Sequence, residues 1–170
     1  ATGGTVRVAN GCTIRDGVVE RVRLSGSALV NLQTMEYIRA FLSGRIGLSM
    51  IKSLLIISGA FGLFRTNAVR EIGGYSTDTI TEDMELVVRL HRHFGDLDEA
   101  YRMEFVPDAA VWTEVPASRQ VLGRQRSRWF RGLLESLELH RGMIGRPRHG
   151  AIGFVAMPFF LFVEALGPLV

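Results

Sequence analysis

Gln125-Arg126-Ser127-Arg128-Trp129, about forty residues after Thr81-Glu82-Asp83, is the stretch on which the reading of this chain turns. Its guanidinium groups offer planar forks of donors that suit phosphate, and its indole offers a flat apolar face. The upstream segment ends in a carboxylate, a group able to take a proton from an attacking hydroxyl. Anion binding and base catalysis are different tools, and transfer from a phosphate-bearing donor needs both.

Ser118 reads as the N-cap of a long basic helix running from about Arg119 to His140. On such a helix Gln125, Arg128 and Trp129 fall within an arc of about 100°, with Arg126 beside Trp129. Arg124, Arg126, Arg128 and Arg131 also describe a plain solvated basic face. Trp129 also fits a core, since Phe130, Leu133, Leu134 and Leu137 continue an apolar stripe beside it. Upstream, Thr79 and Glu82 match a capping box, which starts a helix at about Glu82 and runs it to Phe94, with Asp83 in its first turn. Acidic residues in a first turn also arise from simple complementarity to the helix dipole, and Glu82 and Glu85 are rival carboxylates.

Further out, Thr5 to Ala9 reads as a strand, and Thr13 to Leu24 as a hairpin around Asp16-Gly17. From Ala28 to Leu42, the apolar positions Leu29, Leu32, Met35, Ile38 and Leu42 recur at helical spacing, punctuated by Gly44 and Gly47. Leu54 to Ile57 reads as a buried strand opening into a Ser58-Gly59 turn. Tyr101 to Val106 and Val111 to Glu114 read as two extended pieces separated by a Pro107-Asp108 turn. Strands alternating with helices give an α/β class, of which this is the later half.

With 170 residues the chain supports one domain. Its net charge is +3, and Lys52 is the only lysine, so the positive charge is almost wholly arginine. That bias suits a phosphate-bearing ligand or an acidic membrane surface, and a GC-rich genome would produce it too. Cys12 is alone, which excludes an internal disulfide and a cysteine-based zinc site. The four histidines lack metal-ligand spacing, and His91 and His93 read as solvated helix residues. The chain opens at Ala1 with no signal peptide, and the missing initiator Met suggests a fragment. Ala151 to Val170 is nearly continuous apolar sequence, broken by Pro158, Glu164 and Pro168 and preceded by Arg141, Arg146 and Arg148. Its length, about that of a bilayer crossing, and its basic flank predict a membrane-associated segment with the preceding domain in the cytoplasm. A buried or interfacial terminal helix is the alternative.

The two motifs together resemble the TED and Q(Q/R)xRW motifs of the processive family 2 glycosyltransferases, the cellulose, chitin, hyaluronan and poly-N-acetylglucosamine synthases. Gln33, Glu36 and Tyr37 resemble their QxxEY, Ser58 to Arg65 their acceptor-side loop, and Phe105 to Asp108 the strand and turn before the last helix. The resemblance implies a partial glycosyltransferase-A (GT-A) fold. Residues 1–145 would be the acceptor-side half of the catalytic domain, and 146–170 an interfacial segment or the start of a transmembrane one. It implies inverting transfer from a UDP-sugar to a growing glycan or lipid-linked acceptor at the inner membrane, facing the cytoplasm. Asp83 would be the base, with Thr81, Glu82, Ser58 and Gly59 binding substrate. Gln125, Arg126 and Arg128 would serve the diphosphate, and Trp129 the acceptor end. Magnesium or manganese is expected in the full-length enzyme, with ligands on a DxD motif upstream of this chain. Asp96-Leu97-Asp98 has the right letters in the wrong place and is not read as a metal site. The donor half is missing, so the isolated chain is expected to be inactive. A non-processive lipid glycosyltransferase remains an alternative. So does a basic nucleic-acid-binding module, although the chain carries no nucleic-acid motif and nucleic acid is not an expected partner.

Overall fold

The computed structural model describes residues 1–166 of a mixed α/β chain. Its three-stranded sheet has the order β4-β1-β5. Strand β1 (Thr2–Val8) lies in the middle, antiparallel to the short β4 (Gly62–Leu63) and parallel to β5 (Glu104–Thr113). Its run of buried residues from Gly3 to Val6 suits a strand covered on both faces.

The two extended pieces expected on either side of Pro107-Asp108 are one strand. Gly4 pairs with Val106 and Thr5 with Ala110, so Pro107, Asp108 and Ala109 bulge out of the ladder. A proline has no N–H to give a ladder, and a bulge removes it without ending the strand. The Thr5 hydroxyl seals the bulge by donating to the Pro107 carbonyl at 2.8 Å.

The hairpin forms as expected. Strands β2 (Thr13–Arg15) and β3 (Val18–Arg21) are joined by Asp16 and Gly17, both at positive φ, +50° and +77°. Val22 and Leu24, expected on its returning arm, lie beyond the paired residues and are exposed.

The helix after the hairpin departs from expectation twice. Helix α1 (Ala28–Glu36) continues through a π-helical stretch (Tyr37–Gly44) into α2 (Arg45–Met50), so neither Gly44 nor Gly47 ends it. The apolar stripe Leu32, Met35 and Ile38 faces outward, at 64%, 67% and 56% exposure. The buried face carries Val30, Gln33, Tyr37 and Arg45. Gln33 goes inside because its amide donates to the Pro116 and Leu29 carbonyls, at 2.8 and 3.1 Å. The Gln33 nitrogen is satisfied inside although its buried oxygen has no partner, and hydrophobic periodicity does not register such a bond.

Leu54 to Ile57 is buried as expected, yet it joins no ladder. The His91 ring fixes it instead, with Nε2 donating to the Leu54 carbonyl at 2.8 Å and Nδ1 accepting from the Tyr101 hydroxyl at 2.9 Å. His91 is thus a buried core histidine, against the expectation of a solvated one.

Helix α3 (Thr66–Glu71) follows β4 and leads through a loop to α4 (Glu82–Asp96), the central helix. Met84 and Val88 enter one apolar cluster, with Leu55, Leu137, Met143, Ile152, Met157 and Phe160. Leu86, Val87 and Leu90 enter a second, with Leu54, Ile57, Met103 and Phe105. A helix buried on two faces is a rigid mount for whatever its first turn carries. Its N-cap is Thr81 with no side-chain cap bond, so the expected Thr79–Glu82 box does not form. Helix α5 (Arg119–Leu139) begins where predicted, and the Ser118 hydroxyl accepts from the Val121 N–H at 3.3 Å.

The apolar C-terminal stretch is one continuous helical run, π-helical at Ile152–Ala156 and Phe160–Ala165 with α6 (Met157–Phe159) between them. Ile152, Ala156, Met157, Phe160 and Ala165 pack into the first cluster, while Phe154, Val155, Phe162 and Val163 are exposed. Among the described residues no helix is long and apolar enough to cross a membrane. Pro168 lies outside the described residues.

Candidate active site

Asp83 sits in the first turn of α4, where two backbone groups aim its carboxylate. Oδ2 accepts from the Gly59 N–H at 2.8 Å and Oδ1 from the Met84 N–H at 2.9 Å. A side chain at position 59 would place its Cβ 3.2 Å from Oδ2, so glycine lets the loop close on the carboxylate. The Ser58 carbonyl closes that turn by accepting from the Phe61 N–H at 2.9 Å. Glu82, the rival carboxylate, is exposed.

The residues just before Asp83 are clamped to α5. A Cβ at Gly132 would lie 2.3 Å from the Thr81 hydroxyl oxygen, closer than any real contact, so only glycine admits this approach. The neighbouring Ile80 N–H donates to Glu135 Oε2 at 3.1 Å. Trp129 lies three residues before Gly132, on the same side of α5. The TED segment is therefore packed against α5, the helix that carries QRSRW, about one turn beyond that segment.

Within QRSRW, the Arg126 guanidinium meets the Glu36 carboxylate through two 2.6 Å hydrogen bonds. Its carbon also lies 4.8 Å from the centre of the Trp129 ring. Trp129 meets Phe41 at a ring separation of 6.1 Å, and Phe41 meets Tyr37 at 4.4 Å. Gln125 is half-buried, and its side-chain oxygen is buried without a partner. Arg128 is exposed and, among the described residues, makes no ion pair.

One further residue belongs here and was missed. Arg45 is buried, its guanidinium lies 4.5 Å over the Phe41 ring, and among the described residues it has neither an ion pair nor a hydrogen bond. Burial pulls it down to about 10, while the Asp83 carboxylate acts against that pull and holds the charge in place. Arg45 is thus a buried cation stacked on Phe41, with its charge favoured by the Asp83 carboxylate. The sequence signal was the spacing of four in Tyr37, Phe41 and Arg45, which stacks them on one helix face. Gly132 left a signal too, since glycine inside a helix costs about 1 kcal/mol and marks a close approach.

The site is open. Two cavities of about 390 and 890 Å³ are lined by other residues, and neither includes Asp83 or the QRSRW segment. The smaller lies behind α4, where buried Glu85 meets Arg89 at 2.9 Å and His140 at 3.2 Å. Burial would raise the Glu85 carboxyl, but the His140 hydrogen bond and the Arg89 guanidinium outweigh it and hold it below its usual range.

Among the described residues no group of three or more histidine, cysteine, aspartate or glutamate side chains could hold a metal ion. Asp96 instead pairs with Arg148 at 3.3 Å and Arg92 at 3.7 Å. Among the described residues the donor set does not fit a metal.

Residues 11–169 match the family model described as Glycosyl transferase family group 2. A poly-beta-1,6-N-acetyl-D-glucosamine synthase of Staphylococcus aureus (strain COL) is 38% identical over 114 residues, 66% of this chain and 26% of the relative. A protein of the same name from Staphylococcus epidermidis is 33% identical over 112 residues, with the same shares covered. The chain thus spans about a quarter of the length of these curated relatives. With nearly all of its sequence matched by the family model, and the TED segment held against the helix that carries QRSRW, the chain belongs to glycosyl transferase family group 2.

Proposed function

We propose that this chain is the acceptor-side part of a GT-A catalytic domain in an inverting, membrane-bound polysaccharide synthase. The observation that supports the reading is an oriented carboxylate, Asp83, on a segment that the Thr81–Gly132 contact holds against α5, the helix that carries the Arg126–Trp129 stack. Asp83 takes the proton of the acceptor hydroxyl as that oxygen attacks the anomeric carbon of a UDP-sugar, opposite the departing diphosphate. Trp129 stacks on the acceptor sugar, and exposed Arg128 and Gln125 face the diphosphate. Arg126 has two of its donors committed to Glu36, so its contribution runs first through the indole. Buried Arg45 is left uncompensated when Asp83 becomes neutral, just as negative charge builds on the leaving group.

Magnesium or manganese and the uridine-binding carboxylate would be held by sequence outside this chain, so the isolated 170-residue chain is expected to turn over little or nothing. The exposed Phe154, Val155, Phe162 and Val163, with Arg141, Arg146 and Arg148 nearby in sequence, suit residues 146–170 to a membrane interface on the cytoplasmic side. N-acetylglucosamine is the first sugar to test, because the staphylococcal relatives are named for its polymer. The test is transfer by the full-length membrane protein from a panel of UDP-sugars, with product length read on a gel. A polymer from one donor supports the reading, a single added sugar favours the non-processive alternative, and no transfer from any donor contradicts both.

A further inference from the structure

We infer that Glu36 is a positioning residue of the acceptor site, one that orients Trp129 by gripping Arg126; this rests on the function proposed above. Glu36 is the last residue of α1, at the point where the helix widens into its π-helical stretch. Both of its oxygens are used, each accepting at 2.6 Å from a different terminal nitrogen of Arg126, ninety residues away. Two parallel bonds fix the plane of a guanidinium as well as its place. That plane lies 4.8 Å from the indole centre, and Phe41, one helical turn beyond Glu36, touches the same indole. The indole is therefore contacted by the Arg126 guanidinium that Glu36 grips and by Phe41, while staying half-buried.

Magnitudes favour orientation over stability as the role of this pair. Glu36 and Arg126 are each about one-third exposed, at 36% and 33%, and pairs this wet contribute little to folding. Their effect on geometry is not screened in that way, since an indole free to swing loses the alignment that stacking on a sugar face requires.

The experiment compares Glu36→Gln, Arg126→Gln, the double variant and Trp129→Ala in the full-length synthase. Glu36→Gln is expected to lower kcat/KM for the acceptor about tenfold, with the donor KM within about twofold of wild type. Because Glu36 acts through Arg126, the double variant should be no worse than Arg126→Gln alone. A Glu36→Gln enzyme with unchanged acceptor kinetics would overturn the inference, and so would losses that multiply in the double variant. A second readout needs no activity. In a Trp112→Phe background Trp129 is the only tryptophan of this chain, and Glu36→Gln should make its fluorescence in the purified chain easier to quench with acrylamide. Unchanged quenching also counts against the inference. If Trp129→Ala transfers sugar like wild type, the acceptor-site reading fails separately, and the quenching result still decides whether Glu36 fixes the indole.

Discussion

The backbone N–H of Gly59 donates to Oδ2 of Asp83 at 2.8 Å, joining the loop after the buried Leu54–Ile57 segment to the first turn of α4. With Oδ1 taken by the Met84 N–H, the carboxylate is oriented by backbone alone. Such a mount should be sensitive to small changes in the loop. Gly59→Ala keeps the donor but presses a methyl group to within 3.2 Å of the carboxylate, and Gly59→Pro removes the donor. Both should lower kcat with donor KM unchanged, alanine by about tenfold and proline by about a hundredfold or more. Steady-state kinetics of the full-length synthase would check this.

Gly132 offers a test of the packing that joins the two motifs. A Cβ there would lie 2.3 Å from the Thr81 hydroxyl oxygen and 2.7 Å from the Thr81 Cβ, so α5 or the TED segment must move. Gly132→Ala gains helix propensity of about 1 kcal/mol but meets an overpacking cost of about 1–3 kcal/mol. The expected result in urea unfolding is a chain no more stable than wild type, and transfer should fall further than the stability change explains. Alanine tolerated with a full gain in stability would show that the helices are not held this close.

Arg45 separates function from stability in the opposite sense. A buried cation with no ion pair among the described residues costs folding free energy, so Arg45→Met should leave the urea midpoint unchanged or raised. The same variant removes the charge facing Asp83 and should lower kcat on the order of tenfold or more. Arg45→Lys should recover part of that loss. Unchanged kcat in Arg45→Met would remove Arg45 from the site.

Acid should weaken this chain through His91. Burial holds the imidazole down at about 4 against an ordinary 6.5, while its hydrogen bond to the Leu54 carbonyl opposes that shift. The neutral ring is the form that fits, so its contribution is complete above pH 6.5 and is lost as pH falls from 6.5 towards 4. A gap of this size is worth on the order of 3 kcal/mol. The Tyr101 hydroxyl, the N-terminal ammonium and His149 are the neighbouring titratable groups, and Glu85, held below its usual range, adds a loss of the same sign at still lower pH. In urea unfolding at pH 7 and pH 5, His91→Gln should shrink the difference in midpoint seen for wild type. An undiminished difference would assign the acid sensitivity elsewhere.

Local chemistry was legible where one or two residues decide the structure. Asp16-Gly17 specified the hairpin because both positions need positive φ, and Ser118 specified the start of α5 through its own cap bond. Where partners come from far along the chain, local reading failed. The stripe of Leu32, Met35 and Ile38 pointed the helix the wrong way, because Gln33 is paid for by the carbonyl of Pro116, 83 residues on. His91 looked solvated because the Leu54 carbonyl and the Tyr101 hydroxyl that satisfy it cannot be seen from its own helix. The motifs pointed to Asp83 and Trp129, but Arg45, buried on the Phe41 ring, needed the fold.

The most direct test is Asp83→Asn in the full-length synthase, measured as single-turnover sugar transfer alongside donor binding. An amide keeps the size of the group and cannot accept the proton, so transfer should fall by at least about a hundredfold while the donor dissociation constant stays within about twofold. Transfer at the wild-type rate by Asp83→Asn, with Glu82→Gln the variant that fails, would move the base off Asp83 and contradict the site described here.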